Sequence, residues 1–166
     1  MTTLQNERTQ KLIFMGLKEL LLKEPFSKIT VNQISDQALI HRSTFYTHFD
    51  DKYDLLNKYL IHQRKLADFK FEDISDHPYT TIATINNQEL LPILKYQSND
   101  RDFSNGFFQF IIDTITLGAD KNTELERFFY IGRIKAINLW IEKTNQPYNP
   151  FVDYEYLDKI FITGKK

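Results

Sequence analysis

The sequence predicts an all-α protein with a small head and a larger body, and three observations carry that reading. Apolar residues recur at threes and fours through most of the chain instead of alternating. Fourteen Phe and nine Tyr stand against only five Gly and five Pro, which suits bulky helix packing with few tight turns. Helix-start residues precede the periodic runs, most plainly at Thr30 and Asp50. The head comprises residues 1–66 and the body residues 67–166. The boundary lies in the stretch 68–78 (DFKFEDISDHP), which mixes charges with isolated apolar residues and ends in His-Pro.

The first helix is expected from Leu4 or Glu7 to Lys23, with Ile13, Leu17, Leu20 and Leu21 on its core stripe and Pro25 stopping it. Phe26 and Ile29 tuck the following link under the head. Thr30 and Gln33 form a Thr-x-x-Gln capping box that starts a second, two-turn helix with Val31, Ile34 and Ala38 on one buried face. A tight turn leads to a third short helix in which Phe45 and Phe49, four apart, point inward and Ile40 covers the joint. Its other faces carry Arg42, Ser43, Thr44, Tyr46, Thr47 and His48. Small hydroxyls, polar tips and one guanidinium suit phosphate oxygens and base edges. Asp50 is the expected N-cap of a long fourth helix, with Asp51 and Asp54 in its first turn and Leu55, Tyr59, His62 and Leu66 on one face, widened by Leu56 and Leu60.

In the body, a helix from Tyr79 to Tyr96 is expected to break before Pro92. An aromatic-rich helix from Asp100 to Leu117 places Phe103, Phe107, Phe110 and Ile111 at helical spacing, and Gly118 closes it. A helix from Thr123 to Lys143 repeats Leu125, Phe128, Phe129, Gly132, Ala136, Leu139 and Trp140 at threes and fours. A link with two prolines (144–150) leads to a last helix from Val152 to Ile162, ending near Gly164. There is no internal repeat.

Composition narrows the function classes. At 166 residues the chain can bury a real core. With no Cys, disulfides, zinc-thiolate sites and thiol nucleophiles are excluded. No apolar run approaches the roughly 20 residues that span a bilayer, and the first dozen residues lack the apolar core of a signal peptide, so a cytoplasmic location and no membrane partner are expected. The net charge of −1 divides unevenly: ten Lys/Arg face seven Asp/Glu in residues 1–66, and eleven face fifteen in residues 67–166. A basic head on an acidic body fits a DNA reader whose body the duplex repels. Catalysis finds no support. His41, His48, His62 and His77 make no zinc-type pair, and there is no phosphate-cradling Gly loop or nucleophile elbow. Asp73, Asp76 and His77 read as a solvated acidic loop. No metal, cofactor or enzymatic activity is expected.

The run Ala38-x-Ile40-x-x-Ser43-Thr44-Phe45-Tyr46-x-His48-Phe49-x-x-Lys52-x-x-Leu55 resembles the helix-turn-helix signature of the TetR-like (tetracycline-repressor-like, TetR/AcrR) transcriptional regulators. Two positions depart from the pattern: Leu39 stands where the turn often has Gly, and His41 where the recognition helix often opens on Ser. The resemblance implies a three-helix helix-turn-helix head that binds double-stranded operator DNA as a dimer, and a helical C-terminal body for dimerisation and ligand sensing. By that resemblance Arg42 and Ser43 reach base edges and Thr44 a base or the backbone. Tyr46, Thr47, His48, Lys52 and Thr30 hold phosphates. It also implies a homodimer in which residues 123–143 and 152–162 pack against their twofold mates, with Gly132 and Ala136 letting helix axes approach; alternatively these two merely accommodate Phe128 or Trp140 within one subunit. Tyr79, Phe107, Phe110, Tyr130 and Trp140 either line a small-molecule effector pocket or are ordinary core. The expected function is a repressor on a palindromic operator, released by a small molecule. The alternative is the same DNA-binding scaffold controlled by a protein partner.

Overall fold

The computed structural model of the protein describes residues 3–66, 76–84, 89–116 and 125–166; every regular element among them is helical. In the head, α1 (Thr3–Leu21) ends before Pro25 and buries Ile13, Leu17, Leu20 and Leu21, as its periodicity predicts. A single 3-10 turn (Phe26–Lys28) follows, with Phe26 and Ile29 sealed in the core. Next come α2 (Val31–Gln37), α3 (Arg42–Tyr46) and α4 (Lys52–Leu66). Gly16 permits a close crossing of α1 over α2, since a Cβ there would stand 3.2 Å from the Ala38 amide nitrogen and 3.3 Å from the Ile34 carbonyl oxygen. With five residues α3 has no stability of its own. It is held by Phe45, fully buried and in ring contact with Phe49, which in turn meets Phe14 of α1.

Leu39 and Asp51 fix two local details of the head. Leu39 adopts the left-handed backbone that Gly would ease, with φ 54°, and its side chain is 92% exposed, so nothing offsets the strain by burial. The N-cap of α4 is Asp51, not Asp50. Asp51 Oδ1 accepts from the amides of Tyr53 and Asp54, both at 2.8 Å, while the Asp50 amide donates to Asp54 Oδ2 at 3.1 Å.

The body comprises α5 (Pro78–Thr84), α6 (Leu90–Gln97), α7 (Arg101–Thr116), α8 (Leu125–Lys143) and α9 (Tyr154–Thr163). The stretch from Tyr79 to Tyr96 holds two helices, as a break in it requires, but Pro92 does not mark the break. It is the third residue of α6, inside the first turn, where an amide has no intrahelical acceptor to lose. Along α7, Phe103, Phe107, Phe110, Ile111 and Ile115 are buried as predicted. Gly118, the expected stop, lies outside the described residues. α9 ends on Gly164 at φ 68°, whose amide donates to the Ile160 carbonyl. The buried Asp158 of α9 caps the start of α5, accepting from the amides of Tyr79 and Thr80 at 2.9 and 2.8 Å.

Helix α8 divides its apolar residues between two sides. Its stripe of Leu125, Phe128, Phe129, Gly132, Ala136 and Leu139 faces outward, and the residues buried in the chain are Tyr130, Ile134 and Ile137. Both sets repeat at threes and fours, so α8 is apolar on two sides. Among the described residues no helix is long and apolar enough to cross a membrane.

Candidate nucleic-acid interface

The start of α2 is fixed by the expected capping box. The Gln33 amide donates to Thr30 Oγ1 at 3.3 Å, and the Thr30 amide and hydroxyl donate to Gln33 Oε1 at 2.9 and 2.8 Å. Gln33 Nε2 donates on to Glu24 Oε1 at 2.8 Å, tying α2 to the start of the loop that follows α1. The first turn of α3 has no such side-chain cap. The His41 carbonyl accepts from Thr44 and Phe45, but the imidazole takes no part.

With Phe45 turned inward, α3 presents Arg42, Ser43 and Tyr46 to solvent, with Thr47 exposed just beyond it and Thr44 and His48 half-buried at the margins. Six of the eight predicted DNA-binding residues thus lie on or directly after one helix. Arg42 and Tyr46, one turn apart, support each other: an Arg42 guanidinium nitrogen donates to the Tyr46 hydroxyl at 3.1 Å, and its carbon stands 5.4 Å from the ring centroid. The Tyr46 hydroxyl proton stays available, and Arg42 keeps donors to spare.

A phosphate needs donors, and that requirement sorts the remaining residues. The single hydroxyl proton of Thr47 points at the Thr44 carbonyl, 2.7 Å away, and that of Thr30 at Gln33. Lys52 is the clearest exception to its expected role. Its ammonium donates to the carbonyls of Phe26, Ser27 and Ile29 at 2.9, 3.2 and 3.0 Å, which accounts for all three of its protons. It also lies 4.7 Å from the centroid of the Phe26 ring. Lys52 therefore clamps the loop that leads into α2. Sequence reasoning could not have found this, because its partners are backbone carbonyls.

The five aromatics suggested as an effector pocket are each packed against neighbours. Phe107 contacts Phe103, Phe110 and Phe151 in one cluster. The Tyr79 hydroxyl reaches Asn138 Oδ1 at 3.2 Å, and Tyr130 stands edge-on to Phe161. Burial pushes both tyrosine hydroxyls far above their ordinary pKa, so they stay neutral. Trp140 stacks on Tyr148 at the surface of the body. A groove of about 400 Å³ does lie between α5 and α9, lined by His77, Thr80, Glu155, Asp158, Lys159, Ile162 and Thr163, but none of the five lines it. Gly132 and Ala136 are exposed on α8, and a Cβ at Gly132 would meet nothing within 4 Å. Gly132 therefore makes room for neither Phe128 nor Trp140 within the chain.

Residues 15–59 match the family model described as bacterial regulatory proteins, tetR family. The whole fold is similar to a crystal structure of NalD, the secondary repressor of the MexAB-OprM multidrug efflux pump in Pseudomonas aeruginosa, with TM-score 0.51 and 20% identity, covering 95% of this chain and 96% of that one. A second structure of native NalD aligns with TM-score 0.48 at 19% identity, over 96% of this chain and 97% of that one. No curated protein sequence matches the chain significantly. At such identity the NalD likeness is one of fold.

Proposed function

We propose that the chain, whose residues 15–59 match the tetR family model, is a TetR-like regulator that represses transcription as a homodimer bound to a palindromic operator. The observation that carries this reading is a pair of uncovered faces of opposite chemistry. The face of α3 is polar and rich in donors, with Arg42, Ser43 and Tyr46 outermost; that of α8 is apolar, with Leu125, Phe128 and Phe129 between 50% and 66% exposed. Duplex DNA covers the first, and the same helix of a second copy covers the second, with the open positions Gly132 and Ala136 at the crossing. Two α3 helices related by a twofold axis then meet two half-sites, which is why the operator is palindromic. Arg42 and Ser43 read base edges, Thr44 a base or the backbone, and Tyr46 and His48 hold phosphates. Thr30 and Thr47 reach phosphates only by giving up their internal bonds.

Release of the operator is assigned to a small-molecule effector that binds the body and favours a head spacing that mismatches the two half-sites. A second reading, control by a protein partner, is favoured by the packing of Phe107, Phe110, Tyr79 and Tyr130 against their neighbours. Selecting bound fragments from genomic DNA with the purified protein tests the main reading. Recovery of one inverted repeat supports it, and recovery of unrelated fragments at random-DNA affinity contradicts it. Thermal shifts over a broad metabolite set separate the two control mechanisms, since only an effector moves the melting temperature without a second protein.

A further inference from the structure

The loop between α1 and α2 is held from two sides by groups remote in sequence. Gln97, the last residue of α6, is fully buried; its Oε1 accepts from the Phe26 amide at 2.9 Å, and its Nε2 donates to the carbonyls of Leu21 and Glu24 at 2.6 and 2.8 Å. Asp100, just before α7, accepts from the Ser27 amide and hydroxyl at 3.0 and 2.6 Å through one oxygen and from the Phe103 amide at 2.8 Å through the other. The Tyr96 hydroxyl donates to the Lys23 carbonyl at 2.6 Å. Lys52 of α4 takes the carbonyls on the other side of the loop. Beside them, the Tyr53 hydroxyl donates to Asp102 Oδ2 at 3.0 Å, and a Cβ on Gly106 of α7 would stand 2.9 Å from Leu56 Cδ2 of α4.

A loop of this kind needs partners for the carbonyls that end α1 and the amides that start the 3-10 turn, and water could supply them. Here the body supplies them with the buried side chains of Gln97 and Asp100. Burial alone would push the Asp100 carboxyl up, but its hydrogen bonds from Ser27, Phe103 and Asp102 outweigh that and hold it below the usual carboxylate range, so it is charged at neutral pH. Removing a buried partner leaves the other side unsatisfied, so the corner and the loop move together or not at all.

We propose that Gln97 and Asp100 form a latch that fixes the orientation of the head on the body through the 21–29 loop, so that the recognition helices follow the α6–α7 corner. The inference rests on the DNA-binding reading above and adds to it a route, separate from the covalent link through α4, by which a change in the body alters head spacing. Gln97 and Asp100 are positioning residues, remote from α3.

Spin labels on Asn32→Cys in α2 and Asn105→Cys in α7 test it, because the chain has no native cysteine. Diluted with excess unlabelled chain, each labelled molecule reports only its own head-to-body distance. The native chain is expected to give one narrow distance. Gln97→Met, which keeps shape but removes the bonds, and Ser27→Ala with Asp100→Asn, a milder alternative should the first fail to fold, are expected to broaden it with helix content retained. On a selected operator, the same variants are expected to lose about tenfold of the preference for native over lengthened half-site spacing, within the range of ordinary coupling energies. Native-like distances in folded variants would overturn the latch. A native chain that binds no DNA would overturn the function proposed above and leave the distance test standing.

Discussion

Helices α7 and α8 look alike in sequence and behave in opposite ways. Both are aromatic, and both place large apolar residues at threes and fours. Yet Phe103 and Phe107 of α7 are buried, whereas Phe128 and Phe129 of α8 are at least half exposed. Periodicity reveals that a helix has an apolar face but not what that face meets. For α7 the partners are elements of the same chain, including Phe26 and Phe151. For α8 the chain already fills one side with Tyr130, Ile134 and Ile137, which leaves the second apolar side exposed.

Core truncation should separate the two helices most strongly. Phe103→Ala is expected to lower unfolding free energy by about 3–5 kcal/mol, because it empties a fully enclosed site. Phe129→Ala, measured by denaturant unfolding at a concentration low enough to favour the monomer, should cost under about 1 kcal/mol. Comparable losses would mean that the two stripes do not differ as described. The next effect is on assembly. Ala136→Glu brings a charge, and its twofold copy, to the proposed crossing and should shift the light-scattering mass from a dimer toward the 19.8 kDa chain at micromolar concentration. A native chain already at that mass would remove the interface.

Smaller effects distinguish residues that serve the fold from residues that serve the ligand within the head. Lys52→Ala is expected to cost about 1–3 kcal/mol of stability by stripping three carbonyls of their donor, while the salt dependence of DNA binding by the folded variant stays native. A salt slope flattened by about one per subunit would return Lys52 to the phosphate contacts. Smallest is Leu39→Gly. Relief of a left-handed backbone worth about 1–2 kcal/mol is partly offset by the greater freedom of glycine in the unfolded chain, leaving a gain of under about 1 kcal/mol in chemical denaturation. A loss of stability there would show that the exposed Leu39 side chain has a contact in solution.

The head was largely legible in the sequence because its decisive interactions are local. The Thr30–Gln33 box spans three residues, and Phe45 with Phe49 spans one turn. What escaped is what depends on distant backbone. Lys52 reads as a surface lysine until the carbonyls of the 26–29 turn are placed around it. Gln97 and Asp100 lie 71 and 73 residues from the amides they satisfy, and no spacing rule connects them. Which side of α8 the chain buries is not legible for a related reason, since two equivalent stripes compete and only the tertiary neighbours choose between them. Pro92 was read as a breaker because its effect depends on its place in the helix, and in the first turn that effect vanishes.

The central claim is that the uncovered face of α3 reads base sequence. Arg42→Ala tests it most directly, with affinity measured on the selected operator and on random duplex at several salt concentrations. The expected result is a loss of about 1–3 kcal/mol on the operator, relaxed preference at one base pair per half-site, and a much smaller change on random DNA. Equal losses on both DNAs would contradict it and reduce Arg42 to a backbone contact.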